Sequence, residues 1–281
     1  MKISVCITNY NKARYIDQSF QNFWEYFNSV GAEVVVVDSE SNDGSLVYLQ
    51  KCRDQGRIDK LIVKRCSRGE GRNLAFRNAN GDIIINSIDT DVVYSKDALE
   101  IALKRYIKNH YGQLFAVYGA MISTASTIRS IGGWKNLDRH EDGEISLRAM
   151  EMGLCGQDFS LNVIERHLTE SLKLSIADSM KLTYLDYRDW FRIGLPPEYV
   201  NLGTLLQPHV ILAYIRSYLM DRYSSPKIYE HLEMIGFNRS ERRLHKSSLK
   251  MRNDFNNSPW FSTKLFHRSP AIHIWNCFLQ K

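Results

Sequence analysis

The sequence predicts an α/β fold, a sheet of βαβ units flanked by helices, followed by a mostly helical C-terminal region. Two observations predict it. Up to about residue 168, short apolar runs alternate with segments whose apolar residues recur at helical spacing, so strands and helices take turns along the chain. Beyond that point the alternation stops, and helix-like patterns carrying Tyr184, Tyr187, Trp190 and Phe191 follow, with prolines near residues 195–198 as punctuation. The expected division is residues 1–168 as the α/β domain and residues 169–281 as a helical, basic accessory region.

Each element has its own reason. Residues 3–8 are an apolar run and form a first strand. Ile16, Phe20, Phe23, Trp24 and Phe27 then recur at helical spacing, and Gly31 supplies a stop. Residues 34–37 are four consecutive valines, a fully buried strand ending at Asp38. Asp43 is placed to cap a helix beginning near Gly44. Residues 61–63 give a third strand and residues 72–79 a helix. After the Asn80-Gly81 turn signal come a strand over residues 82–88 and a helix over about 96–109. Residues 115–121 predict one further strand. The Gly132-Gly133-Trp134 turn leads to His140-Glu141-Asp142-Gly143-Glu144, which opens a helix carrying Ile145, Leu147, Ala149 and Met150. Acidic side chains in a first turn suit the positive end of a helix dipole. Residues 210–220 are too few to span a bilayer and include Arg216, so they form a packed or interfacial helix.

Composition narrows the function classes. With 281 residues, 44% hydrophobic and 11% aromatic, the chain has the makings of a folded core, which excludes general disorder. Its formal charge of +6 is uneven, because basic residues crowd the last third in stretches such as residues 239–252. Such a region suits anionic lipid, nucleic acid or phosphorylated ligands. Five cysteines without a repeated short spacing argue against a disulfide framework or a zinc knuckle and suit a reducing interior. The N-terminus enters a strand directly, with no signal-type apolar segment, so a cytoplasmic location is expected.

The chemistry concentrates where the strands end. The run from Ile83 to Ile88 leads into Asp89-Thr90-Asp91, and a strand projects residues i and i+2 to one side, so both carboxylates can face one hard cation. Without a cation they would repel each other. Thr8, Asn9 and Tyr10 follow the first strand, Asp38 the second, and Arg65 and Arg68 the third. Ligands of open α/β sheets bind outside these carboxyl ends, so four successive polar strand ends point to one shared site.

Five stretches carry a resemblance. They are Ser4-Val5-Cys6-Ile7-Thr8-Asn9-Tyr10-Asn11 with Tyr15-Ile16, then Val35-Val36-Val37-Asp38-Ser39-Glu40-Ser41-Asn42-Asp43-Gly44-Ser45, Arg68-Gly69-Glu70-Gly71-Arg72-Asn73, Asp89-Thr90-Asp91, and Gly132-Gly133-Trp134 leading to Glu141-Asp142. In order and spacing the first 168 residues resemble a family 2 glycosyltransferase with the GT-A fold, a Rossmann-like mixed sheet flanked by helices. That resemblance implies an inverting, metal-dependent hexosyltransferase that uses a UDP- or GDP-type nucleoside-diphosphate sugar. Its acceptor hydroxyl would lie on a glycan, a lipid-linked saccharide or a protein glycan. Two positions depart from the pattern: Ser39 stands where the family often has a second acidic residue, and Gly143 where it often has an aromatic one.

The resemblance also implies roles. Asp91, with Asp89 near the ribose or the metal, would hold Mn²⁺ or Mg²⁺ in the DXD motif against the leaving diphosphate. Asp38 would accept from the nucleobase imino group, Thr8, Asn9 and Tyr10 would line the nucleoside pocket, and Arg68 or Arg72 would lie near base or phosphates. Arg72 reads equally well as a helix residue packed on the sheet. Asp142 would be the base that takes the acceptor proton, with Glu141 on acceptor or sugar hydroxyls. Trp134 would offer a platform to a sugar face, and His167 a further metal or phosphate ligand. The donor base and sugar stay open.

Two other readings compete. A nucleotidyltransferase making nucleotide sugars shares related chemistry but needs a Gly-rich phosphate loop, and residues 8–14 contain no glycine. A non-catalytic nucleic-acid- or membrane-binding protein of the same fold would use the basic tail, yet no nucleic-acid-binding signature is present and no nucleic-acid partner is expected. The tail interleaves its cations with Trp260, Phe261, Phe266 and Trp275, which suits peripheral attachment at the inner face of a membrane or acceptor binding.

Overall fold

The structure is a computed structural model and describes residues 1–168, 175–194 and 206–220 of the chain. The basic stretch at residues 239–252, the tail aromatics and the prolines near 195–198 lie outside the described residues. By its contacts the chain divides into one unit of residues 1–137 and 141–172 and a second of residues 138–140 and 173–281.

In the first unit the chain runs β1 (Ile3–Asn9), α1 (Ala13–Ser29), β2 (Glu33–Asp38), α2 (Ser45–Asp54), β3 (Lys60–Val63), α3 (Arg68–Asn78) and β4 (Ile83–Asp89). It continues through β5 (Val92–Tyr94), α4 (Lys96–Arg105), β6 (Leu114–Tyr118), β7 (Ala120–Thr124), α5 (Ala125–Ile131), α6 (Glu141–Glu151), β8 (Cys155–Asn162) and β9 (Ile164–His167). Seven strands form one sheet in the order β3-β2-β1-β4-β7-β6-β8, while β5 and β9 pair apart from it. β3, β2, β1 and β4 are mutually parallel, and β7 then pairs antiparallel with β4 and β6. The sheet is therefore mixed, as in the GT-A fold. The single strand expected over residues 115–121 is a hairpin instead, because Gly119 takes φ +96° and lets the chain reverse between β6 and β7.

The four valines of β2 show how the sheet is clad. Val34 and Val36 face a layer containing Phe20, Phe23, Phe27 and Leu49, whereas Val35 and Val37 face one containing Ala75, Phe76, Trp134 and Ile145. Side chains alternate with period two, so a strand buried on both faces must be apolar throughout. Asp43 binds one residue earlier than a cap would: its carboxylate accepts from Ala13 N at 2.8 Å and Ser45 N at 3.0 Å, tying the starts of α1 and α2 together while Gly44 takes the cap position. The helix over 96–109 is α4 with a π-helical turn, Tyr106–His110, continuing from it.

β1 lies between β2 and β4, so the chain leaves it toward one side and returns on the other. That reversal opens a crevice at the carboxyl ends of the strands. At the same place β4 carries a bulge. Its pairing with β1 passes from Val5↔Ile85 to Ile7↔Ile88, which inserts one extra residue, and Ser87 adopts φ +65°.

In the second unit, α7 (Ile176–Ile193) begins at Ser175, whose hydroxyl accepts from Asp178 N, and ends at Gly194 with φ +108°. It packs on α8 (Pro208–Tyr218), with Phe191 edge-to-face on Tyr214 at 5.0 Å between centroids. Fully buried Asp189 accepts from the backbone N–H groups of Asp138 and Arg139 at 2.8 and 2.9 Å, which fixes that short segment to α7. No helix among the described residues is long and apolar enough to cross a membrane.

Candidate functional site

The strand ends converge through Asn9. In register, Asn9 lies beside Asp38 of β2, and its neighbour Thr8 beside Asp89 of β4. The Asn9 amide nitrogen donates to Asp38 Oδ2 at 2.7 Å and reaches the Ser41 and Ser45 hydroxyls, while its oxygen accepts from Thr90 Oγ1 at 2.7 Å. Both ends of the amide are engaged, and Asn9 locks three strand ends together. Asp38 is likewise turned inward. It is fully buried, and it accepts from Asn9, from Ser41 N and from Ser41 Oγ, each at 2.7 Å. Its carboxylate shapes the loop after β2. Tyr10 is 59% exposed and Thr8 half-buried, and both remain at the rim.

Asp89 and Asp91 stand at the end of β4, as the strand geometry predicts. Between them Thr90 is buried against Asn9, so the turn is anchored from beneath. The Asp89 amide donates to the Tyr94 hydroxyl at 2.8 Å, and Ser19 of α1 donates to Val92 O at 2.6 Å, which holds the same turn from the side. Asp91 Oδ2 accepts from the Lys12 ammonium. His167 reaches the neighbourhood through its backbone, since β9 places it opposite Val92. No set of three His, Cys, Asp or Glu side chains spaced to hold an ion forms among the described residues, so His167 does not complete a ligand trio with the two aspartates.

The second part of the site is built from α3, α6 and the β4 bulge. The glycines of Arg68-Gly69-Glu70-Gly71-Arg72 allow α3 to sit close: a Cβ on Gly69 would lie 1.9 Å from the Lys135 carbonyl oxygen, and one on Gly71 would lie 3.1 Å from Thr8 Cγ2. Asn73 then clamps the Trp134 backbone, accepting from its N–H at 2.9 Å and donating to its carbonyl. Arg72, 2% exposed, places its guanidinium 2.9 Å from both Glu141 Oε1 and Asp142 Oδ2. Burial alone would loosen the Arg72 proton, but Asp142 and Glu141 outweigh it and the group is held charged. Arg68 lies further out, 3.8 Å from Glu141, and is held protonated chiefly by Glu141 and then by Asp89, Asp142 and Asp91.

The two acidic neighbours of α6 are thereby driven apart. Glu141 is 2% exposed; burial would raise its pKa, but Arg72 and Arg68 more than offset that and keep it ionised. Asp142 is pushed up to about 6, by burial first, with Arg72 opposing and Glu141 reinforcing the rise. Its Oδ1 accepts from Trp134 Nε1 at 3.0 Å and Ser87 Oγ at 3.1 Å. One carboxylate is thus a fixed anion and the other is poised near neutrality, the separation that general acid–base chemistry uses. The stacking platform expected at Trp134 is absent: the ring is 2% exposed in the core beside Ile131 and Ile145, and only its N–H edge serves the site.

Residues 4–158 match the family described as glycosyl transferase family 2. The chain belongs to that family. It is 28% identical over 120 residues to a poly(ribitol-phosphate) beta-N-acetylglucosaminyltransferase of Staphylococcus aureus, a match covering 42% of this chain and 21% of that one. It is 34% identical over 111 residues to the uncharacterized glycosyltransferase YfnE of Bacillus subtilis, covering 39% and 27%. The matches thus span less than a third of those relatives' length. In fold, the family 2 chain is similar to a mannosyltransferase of Pyrobaculum calidifontis solved with GDP-Man and Mn²⁺, with a TM-score of 0.54, 15% identity and coverage of 99% and 84%. It is also similar to glucosyl-3-phosphoglycerate synthase of Mycobacterium tuberculosis solved with Mn²⁺ and UDP-glucose, with a TM-score of 0.52, 14% identity and coverage of 69% and 80%.

Sequence reasoning passed over Lys12, Ser87 and Asn73. Nothing in the sequence marks Lys12, and only the position of Asp91 gives it a partner. Ser87 reaches Asp142 because the bulge turns it there, and nothing in Ile-Asn-Ser-Ile announces a bulge. Asn73 had a legible signal, its place in the Gly-rich stretch that carried the resemblance.

Proposed function

We propose that the chain transfers a sugar from a UDP- or GDP-type nucleoside-diphosphate donor to an acceptor hydroxyl, with inversion and with metal assistance. The observation that carries the reading is the placement of Asp142, held by Arg72, Trp134 and Ser87 near the Asp89–Asp91 strand end, in a family 2 chain. The solved relatives with GDP-Man or UDP-glucose support the donor class.

A Mn²⁺ or Mg²⁺ ion fits this donor set. Asp89 and Asp91 offer hard oxygen ligands, Asp91 already takes a cation in the Lys12 ammonium, and with two protein carboxylates the remaining ligands would be diphosphate oxygens and water. When bound, such an ion neutralises charge developing on the leaving diphosphate. Arg68, exposed at the rim among four carboxylates, is placed to meet anionic donor groups as well. Asp142 takes the proton of the acceptor hydroxyl as its oxygen bonds to the sugar's anomeric carbon and the bond to the diphosphate breaks. Trp134 and Ser87 hold one carboxylate oxygen, so the base is oriented before the acceptor arrives. The resemblance to the family's inverting members, with Asp142 as the single candidate base, makes the displacement direct, with inversion at the anomeric centre.

For the acceptor we propose a glycan, lipid-linked saccharide or protein glycan presented at the cytoplasmic face of a membrane. Residues 206–281 hold 12 Lys and Arg against 5 Asp and Glu, and α8 leaves Leu212, Ile215 and Leu219 exposed beside Arg216. Pelleting with anionic and neutral liposomes tests this. Recovery in the supernatant with both would remove the membrane from the reading.

The transfer itself is tested by incubating the chain with Mn²⁺, each UDP- and GDP-sugar and a saccharide acceptor, then reading the product's anomeric configuration by NMR. An inverted glycoside is expected. A retained configuration, or an intact donor with every acceptor, would overturn the proposal.

A further inference from the structure

Lys12 sits in the loop after β1, at the residue preceding α1, and its own side chain does not cap the helix. Its ammonium is bound to Asp91 Oδ2, the carboxylate to which the proposed function gives the divalent cation. The contact is neither deep nor wholly open: the side chains of Lys12 and Asp91 are 33% and 16% exposed. A lysine is a compact point charge on a flexible four-carbon stem, so it can leave one anion for another without moving the backbone. Asp91 is held differently. Its turn is fixed by Thr90 on Asn9, by Tyr94 on the Asp89 amide and by Ser19 on the Val92 carbonyl, so the carboxylate stays while its partner changes.

An ammonium and a divalent ion both seek the same carboxylate oxygens, and side by side they repel. We propose that Lys12 is a built-in counter-ion of the donor site. In the free protein its ammonium holds the cation position on Asp91, and the divalent ion takes that position only as Lys12 swings to the diphosphate oxygens that arrive with it. Free cation therefore binds weakly, and cation and diphosphate load together. The inference rests on Asp91 being the metal carboxylate.

The test is titration of Mn²⁺ alone into the full chain, followed by the electron paramagnetic resonance signal of the free ion. The variants are Lys12→Met, Lys12→Arg, Asp91→Asn and the double variant Lys12→Met/Asp91→Asn, with circular dichroism to confirm folding. Lys12→Met is expected to bind Mn²⁺ at least tenfold more tightly than the native chain, Lys12→Arg about as weakly as native, and the double variant no more tightly than Asp91→Asn. Native-like affinity in Lys12→Met would overturn the proposal. So would a gain that survives in the double variant, since the lysine would then act by general charge and not at Asp91. A separate calorimetric titration of UDP and GDP at saturating Mn²⁺ reads the second half: Lys12→Met is expected to lose about tenfold in nucleotide affinity, and unchanged affinity would contradict the swing to the diphosphate. If the native chain binds neither nucleotide, the donor-site reading itself has failed, an outcome distinct from the Mn²⁺ results.

Discussion

In the proposed transfer Asp142 is the residue on which the chemistry turns, and its surroundings make quantitative demands. Asp142→Asn keeps the shape and removes the basic oxygen, so transfer is expected to fall by about 10²- to 10⁴-fold while donor affinity measured by calorimetry stays within a few-fold. A loss of donor binding equal to the loss of rate would assign Asp142 to binding instead. The base works deprotonated and its pKa is raised to about 6, so kcat/KM should climb with pH below that value and level off above it. A profile flat down to pH 5, or one that falls as pH rises, would contradict the assignment. Trp134 donates to the charged form and so lowers this pKa; Trp134→Phe removes the donor, and the midpoint should move upward. At this scale the sequence made placement legible where residue type and period sufficed: Asp89 and Asp91 lie at the end of β4, and Asp142 lies in the first turn of α6. The burial of Asp38, Asn9 and Trp134 was hidden, because a motif shows which residues are present but not how deeply they sit. Asp38 was expected to face a ligand, yet the Ser41 and Asn9 donors that turn it inward become visible only when β1 and β2 lie side by side.

The elements meet in the packing of α3 against α6, which explains why the Gly-rich stretch cannot vary freely. Gly69→Ala would drive a methyl group into the Lys135 carbonyl, a backbone atom that cannot step aside, so a loss of at least the ~1–3 kcal/mol typical of overpacking is expected in urea unfolding. Gly31→Ala makes a useful control, because a Cβ there meets nothing within 4 Å and its cost is limited to the strain of φ +63°. Arg72→Met leaves Glu141 buried without its nearer ion partner, with only Arg68 at 3.8 Å remaining. Breaking a buried pair this way costs about 3–5 kcal/mol, and a thermal melt should show it together with lost activity. A Tm within a degree of native would mean that Glu141 finds water or another donor. Most elements in residues 1–137 followed from periodicity, with boundaries moved by a few residues, but the short strand β5 and helix α5 were not expected. Nor was the β6–β7 hairpin, because its two strands read as one apolar run and Gly119, the residue that divides them, is conspicuous only by its positive φ. The bulge in β4 was hidden for a similar reason, as an extra residue in a buried strand leaves the run apolar.

On the scale of the whole molecule, a parallel half-sheet ends in a crevice where one wall carries Asp89, Asp91 and Lys12 and another carries Arg72, Glu141 and Asp142, all within the first unit. Four carboxylates face two cations here, with Arg68 a third at the rim, so the crevice is net negative and suits the entry of a metal cation together with a diphosphate. Family membership sets the class of reaction, and the crevice proposes how this chain performs it. The most direct test of that claim is calorimetric titration of UDP, GDP and their sugars into the native chain and into Asp91→Ala, with Mn²⁺ and then with a chelator. The account predicts that one nucleotide type binds, that the chelator abolishes binding, and that Asp91→Ala abolishes it too. Binding indifferent to both the chelator and the substitution, or no nucleotide bound at all, would contradict it.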